Sequence, residues 1–146
     1  MYPTQKEILA QKPNISQKII EATLSWKKYC LKGWKTKTKK HKLLSLEVLI
    51  WTIIIKYCSQ NPKEKKQYLH IKNSSQYAYN QKTKTIYQDK NNPSIISALH
   101  ELGHHLFGSS ELTTCRWSYW LFATCFPGLL KKLTFKGHLL IKKEQK

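Results

Sequence analysis

The segment Asn92–Phe122, "NPSIISALHELGHHLFGSSELTTCRWSYWLF", predicts two helices that are joined by a sharp turn. In its first half, apolar side chains recur at the spacing of one helix face, at Ile95, Leu99, Leu102 and Leu106. Asn92 is a suitable N-cap with Pro93 at the first helical position, and Gly108 suits a left-handed stop. The segment therefore predicts a first helix that ends near Gly108, with a second helix directly after it.

The first of these helices carries the pattern H-E-L-G-H. His100 and His104 are four residues apart, so both rings leave the same helix face and can converge on one ion. Glu101 is adjacent to the first histidine and can reach a water molecule on that ion without binding the ion itself. The spacing therefore predicts two metal ligands and a general base.

A zinc site that performs chemistry has three protein ligands and one open position. The candidates for the third ligand are His105, Glu111, Cys115, Cys125 and His138. His105 lies about 100° further round the helix than His104 and should point elsewhere. Glu111 is better placed, because the chain can turn at Gly108 and restart as a helix capped by Ser109 or Ser110. Glu111 would then lie in the first turn, with its carboxylate directed back to the histidines.

With these residues, the chain resembles the zincin metallopeptidases. Residues 92–111 resemble their active-site helix, turn and third ligand, and "TIYQDKNN" before them resembles their cleft-edge strand. The segment 111–122 is similar to the glutamate helix of gluzincin families, including the ImmA/IrrE-like peptidases. The region is also similar to a group of short uncharacterised cyanobacterial proteins, which adds no function.

The resemblance implies a zinc ion bound by His100 and His104, with Glu101 as general base in peptide-bond hydrolysis. By the same matching Glu111 is the third ligand, and Cys115 takes the place of the Asp or Asn that supports the zinc histidines. The spacing departs from the families, because Glu111 follows the second histidine by seven residues and Gly108 lies one place later than the metzincin glycine. By residue type, the candidates to stabilise an oxyanion are Tyr87, Tyr119 and His138.

The rest of the chain predicts a small α+β zincin-like fold in a single domain, residues 1–146. Helical periodicity starts near Ser16 and stops at Gly33, and the apolar segment 43–58 favours a second supporting helix after a lysine-rich linker. Three short strands are predicted at 67–71, 76–80 and 83–88, two of them as a hairpin. Residues 1–13 look frayed, and the basic tail 130–146 has no clear period.

The composition of the chain indicates where the protein is located and which partners it binds. The start of the chain has no basic segment followed by an apolar one, and no pair of its 4 cysteines has C-x-x-C spacing, so we expect a cytoplasmic protein with reduced thiols. We also expect a monomer. Basic residues number 26 against 8 acidic ones, a formal net charge of +18, which favours weak binding of polyanions through lysine. The segment 43–58 is shorter than a membrane span and favours a core helix, with membrane association as the alternative.

Two other functions remain open at this stage. A basic protein with a catalytically silent or structural metal site could bind nucleic acid, although Arg116 is the only arginine available for bidentate phosphate contacts. A deformylase-like hydrolase would use an upstream cysteine, but "KYCSQNP" around Cys58 lacks the glycine-containing motif of that family. The hypothesis that we favour is a zinc metallopeptidase acting on a peptide or protein.

Overall fold

Six helices and two small sheets make up the described part of the chain, in an α+β arrangement. The computed structural model describes residues 2–143. The helices are α1 (Gln5–Ala10), α2 (Gln17–Cys30), α3 (Lys39–Gln60), α4 (Ile95–Phe107), α5 (Glu111–Cys125) and α6 (Pro127–Leu130). The strands are β1 (His70–Ser74), β2 (Ala78–Asn80), β3 (Thr85–Asp89), β4 (Leu133–Lys136) and β5 (Leu139–Lys142). The predicted α+β class is confirmed.

The first sheet contains the three predicted strands in the order β1-β3-β2. β2 and β3 form the expected antiparallel hairpin, with Tyr79 opposite Ile86. β1 pairs with β3 in parallel, with Ile71 opposite Ile86. Because β3 is the central strand, its Ile86 is fully buried. The first strand begins three residues later than predicted.

The core lies around α4, which packs against α3, α5 and the strands β2 and β3. The apolar stripe of α4 is buried as predicted, and Leu99 and Leu102 have no exposed surface. Ile53 of α3 and Leu121 of α5 are equally buried and belong to the same cluster. Each such side chain contributes about 1.5–3 kcal/mol of burial free energy. The helix that carries the H-E-L-G-H pattern is thus fixed on several sides.

The apolar segment 43–58 forms a helix, but the helix is longer than predicted. α3 starts at Lys39, where the Thr38 side chain accepts from the backbone N–H of His41, so the end of the lysine-rich linker is helical. One face is core, whereas the opposite face exposes Leu44, Val48, Trp51 and Ile55. Within residues 2–143, α3 is the one helix long and apolar enough to cross a membrane, and 44% of its most apolar segment is buried.

The prediction that residues 1–13 are frayed is wrong for α1. Thr4 and Glu7 form a capping box, and Ile8 is fully buried. The guanidinium group of Arg116 donates to the carbonyl oxygen of Glu7 at 2.8 and 3.1 Å, and Trp120 donates to that of Ile8 at 3.2 Å. These partners lie more than a hundred positions along the chain, so local sequence does not indicate them.

The basic tail contains structure that its sequence did not predict. Strands β4 and β5 form an antiparallel hairpin that turns at Gly137, whose φ is 63°. His138 lies in this turn, directly before β5, and its carbonyl oxygen is 3.9 Å from Sγ of Cys115 on α5. Residues 144–146 of the tail lie outside the described residues.

The start of α4 also differs from the prediction. Its N-cap is Ser94 rather than Asn92, because the Ser94 hydroxyl accepts from the backbone N–H of Ser97. The N–H of Ser94 itself donates to the hydroxyl of Tyr77 at 2.8 Å, which anchors the helix to the segment before β2.

Candidate metal site

The turn between α4 and α5 directs Glu111 toward the histidines. Gly108 ends α4 with φ 94° and ψ −157°, a conformation that is essentially restricted to glycine. Ser110 then caps α5 by accepting from the N–H of Thr113. The predicted turn and second cap are confirmed, and Glu111 is the first residue of α5.

A second glycine lets the two helices approach closely. A Cβ atom on Gly103 of α4 would lie 2.9 Å from Cγ2 of Thr114 and 3.3 Å from Cε3 of Trp117. Real Cβ atoms essentially never approach another atom at the shorter of these distances. Gly103 therefore sets the spacing at which the carboxylate of Glu111 can reach α4.

His100, His104 and Glu111 form what we call the His-Glu cluster. Nε2 of His104 lies 2.8 Å from Oε1 of Glu111, and Nε2 of His100 lies 3.3 Å from Oε2. The two imidazole rings are nearly perpendicular, with centroids 4.9 Å apart. All three side chains are largely buried, with 13–25% of their side-chain surface exposed. The Glu111 carboxylate thus faces both rings, with one oxygen near each Nε2 atom.

The hydrogen bonding of His104 suits a bound cation. Its Nδ1 lies 3.0 Å from the carbonyl oxygen of Gly108, which can only accept, so Nδ1 carries the proton. In the neutral ring Nε2 then presents a lone pair to the carboxylate oxygen of Glu111 at 2.8 Å. Two facing lone pairs repel each other unless His104 is doubly protonated or a cation lies between them. A carbonyl that orients a histidine through its other nitrogen is a common feature of metal sites.

His100 is held in the form that can donate a lone pair. Burial lowers the pKa of His100 to about 4, although the neighbouring Glu111 carboxylate acts in the opposite direction. The ring is therefore neutral at pH 7. Its Nδ1, the nitrogen that does not face Glu111, lies 3.9 Å from Sγ of Cys115.

Cys115 lies on α5, one turn after Glu111, and is buried. Its sulfur also lies 3.9 Å from Oε2 of Glu111 and from the carbonyl oxygen of His138. Burial, together with the Glu111 carboxylate, raises the pKa of the Cys115 thiol to about 12, so the sulfur is protonated at pH 7. The donor atoms of His100, Glu111 and Cys115 lie within 4.8 Å of one another, so Cys115 contacts two residues of the cluster.

Glu101 lies beside the cluster and is 7% exposed. One of its carboxylate oxygens is within 4.8 Å of a ring nitrogen of both His100 and His104. Burial raises the pKa of Glu101 to about 7, against the opposing effect of His104. A carboxyl group with a pKa near 7 can both accept and return a proton at neutral pH.

His138 is the oxyanion candidate that comes nearest to the cluster. Its Nε2 lies 4.0 Å from Oε2 of Glu111, and its ring stacks on Tyr2 with centroids 4.2 Å apart. Tyr119 lines the same cleft, stacked on Phe135 with centroids 5.4 Å apart. Tyr87 does not line the cleft, because it lies on the central strand β3 opposite Ala78 and Lys72.

The other third-ligand candidates lie elsewhere. His105 is buried, with Nε2 donating to the carbonyl oxygen of Lys66 at 2.7 Å and Nδ1 accepting from Tyr79 at 2.8 Å. Cys125 contacts the carbonyl oxygen of Ile20, and Cys58 contacts Gln67. His105 is thus structural, as its position on the helix predicted.

Two contacts to the site were not foreseen from the sequence. The hydroxyl of Thr114 lies 3.5 Å from Nδ1 of His104, and helical spacing from Glu111 could have indicated it, since Thr114 is three residues further along α5. Tyr2 covers His138, and no local pattern relates the two ends of the chain.

A cleft of about 1230 Å³ opens beside the cluster and is lined in part by His100, Cys115 and His138. It runs along the amino end of α4 and the β4–β5 hairpin. A ligand in this cleft would contact one edge of the His-Glu cluster.

No protein-family model, no curated protein and no solved structure matches the chain.

Proposed function

We propose that the protein is a zinc-dependent metallopeptidase, in which the His-Glu cluster holds the ion and Glu101 is the general base. The observation that carries the proposal is the Glu111 carboxylate, whose two oxygens lie 2.8 and 3.3 Å from the Nε2 atoms of His104 and His100. Two imidazoles and one carboxylate are a common donor set of catalytic zinc, which leaves one position for water or substrate.

The donor chemistry supports a metal ion in this place. Nδ1 of His104 faces the carbonyl oxygen of Gly108, so the lone pair of the neutral ring is on Nε2, which faces the carboxylate, and Nε2 of His100 faces the same carboxylate at 3.3 Å. Nitrogen and oxygen donors of this kind suit zinc, whereas calcium and magnesium favour oxygen alone. A zinc ion in the cluster would supply an acidified water molecule and polarise a substrate carbonyl group.

The protein side chains would perform the proton transfers. Glu101 accepts a proton from the attacking water and returns it to the leaving amine, for which its position beside both histidines is suitable. His138, at the turn of the β4–β5 hairpin, lies on the cleft side of Glu111 and can donate to the developing oxyanion. Gly108 and Thr114 orient His104, and Cys115 supports His100.

The test combines metal content with a conservative variant of the base. We expect the purified protein to contain one zinc per chain by elemental analysis and to cleave peptides from a mixed library. Glu101→Gln should keep the zinc and the fold but lower the turnover rate by about 10²–10⁴-fold. Glu64→Gln is a matched control, since that carboxylate binds Tyr57 outside the cluster. A protein without zinc, or a Glu101→Gln variant that is as active as the parent, would falsify the proposal.

A further inference from the structure

The cleft beside the His-Glu cluster is lined mainly by apolar and basic side chains. Large apolar side chains form much of its surface, among them Trp34, Ile95, Phe135 and Leu140. His100 and His138 also line it. A molecule that fills the cleft must therefore supply apolar groups, and it would lie next to the candidate metal-binding residues.

The charges that line the cleft are all positive. Six lysines contribute, from the α2–α3 connection, the start of α3, the α6–β4 turn and the end of β5: Lys35, Lys42, Lys131, Lys132, Lys142 and Lys143. No aspartate or glutamate within residues 2–143 lines the cleft. Ser94 and Ser97 bring the amino end of α4 to the same surface, and a helix carries partial positive charge there.

These charges act together on a ligand. A concave surface with low-dielectric walls and charges of one sign concentrates ligands of the opposite sign. Lys42 is half-buried, with its Nζ 5.8 Å from the centre of the Trp34 ring, which holds one positive charge against the apolar wall. An extended chain could thus place apolar side chains on the walls while its carboxylates meet the lysines.

The lining favours an acidic peptide over a nucleic acid. No arginine within the described residues lines the cleft, so the planar, bidentate contacts that recognise phosphate are missing from it. Apolar walls of this extent fit aliphatic and aromatic side chains, and the cleft is continuous with the cluster proposed to hydrolyse peptide bonds.

We propose that the cleft binds an extended peptide segment that carries both apolar and acidic side chains, and that such segments are the substrates of the site. The inference rests on the proposed function, since it names the substrate class of the same site. Basic segments of equal apolar content are excluded by the lysines.

Binding is measured separately from cleavage. The probes are three fluorescent peptides of equal length with the same apolar residues and with glutamate, glutamine or lysine at the remaining positions. They are titrated by fluorescence anisotropy against zinc-loaded Glu101→Gln protein at low ionic strength. The glutamate peptide should bind about tenfold more tightly than the glutamine peptide, and the difference should shrink as salt is added.

Two double variants with the same net charge test whether the lysines of the cleft cause the preference for the glutamate peptide. Lys35→Glu/Lys132→Glu changes two exposed lysines of the cleft, whereas Lys18→Glu/Lys63→Glu changes two exposed lysines outside it. The first pair should weaken binding of the glutamate peptide by about tenfold, and the second by less than about twofold. Equal losses in both pairs would mean a general effect of net charge and would overturn the inference.

The remaining outcomes separate the inference from the proposed function. Selective binding of the glutamate peptide without cleavage by the parent protein supports the cleft as a binding site for acidic peptides, and refutes both the peptidase and the assignment of such peptides as substrates. Cleavage of all three peptides with equal kcat/KM supports the peptidase and refutes the inference. An oligonucleotide that binds as tightly as the glutamate peptide, with the same loss in Lys35→Glu/Lys132→Glu, also refutes it.

Discussion

Oε1 of Glu111 lies 2.8 Å from Nε2 of His104, although the two residues belong to different helices. The six residues between them include the end of α4, the turn at Gly108 and the cap of α5. The turn thus converts a short separation in sequence into a contact between two potential ligands of one ion.

We expect Glu111→Gln to lower zinc affinity by at least about 100-fold. The amide keeps the size of the side chain but loses its charge, and even the loss of a residue that only supports a ligand costs 10–100-fold. Affinity is measured by competition with a chromophoric chelator. Glu21→Gln, an exposed glutamate on α2, is the control and should leave the affinity unchanged. An unchanged affinity in the Glu111→Gln variant would exclude Glu111 as a ligand.

Gly108→Ala should destabilise the protein by about 1–3 kcal/mol, with weaker zinc binding. An added Cβ would meet no atom within 4 Å, so the cost comes from the backbone, whose φ of 94° is strained for any residue with a side chain. Relaxation of that strain would move Glu111 away from His104. Both quantities are measured, by urea unfolding and by chelator competition.

Gly128→Ala is the matched control for Gly108→Ala. Its Cβ also meets no atom within 4 Å, but Gly128 lies in α6 and has no positive φ. We expect it to be neutral or slightly stabilising. If both variants behaved alike, the turn at Gly108 would have no special conformational role.

How much of this arrangement follows from the sequence depends on the range of each interaction. The α4 stripe, the glycine turn and the cap of α5 are local, and the sequence predicted them together with the position of Glu111. The pairing of Arg116 was not predicted, because its partners belong to α1 at the other end of the chain. His138 was one of several candidates by residue type, and the sequence could not select it, since its approach depends on a hairpin in a tail without clear periodicity.

His105→Ala should lower the stability of the protein without greatly changing its zinc affinity. The change leaves the buried carbonyl oxygen of Lys66 and the hydroxyl of Tyr79 without their partners, which costs about 2–4 kcal/mol in the free energy of unfolding. Zinc affinity should change by less than a few-fold, because neither ring nitrogen faces Glu111.

His41→Ala and His100→Ala are the comparison variants for His105→Ala. His41→Ala removes an exposed side chain and should change neither quantity. His100→Ala should abolish zinc binding and have a smaller effect on the stability of the metal-free protein. A loss of zinc in His105→Ala with unchanged stability would show that the ligand set has been assigned wrongly.

Gly103→Ala should destabilise the protein by about 1–3 kcal/mol, because its Cβ would lie 2.9 Å from Cγ2 of Thr114 and force α4 and α5 apart. Thr114→Ser removes that methyl group and keeps the hydroxyl beside His104. In a double-mutant cycle, the second change should restore about 1 kcal/mol of the loss. The restoration is incomplete, since Cε3 of Trp117 still lies 3.3 Å from the added Cβ. Additive losses, measured by urea unfolding of the chelator-treated proteins, would mean that the helices do not meet at Gly103 and Thr114.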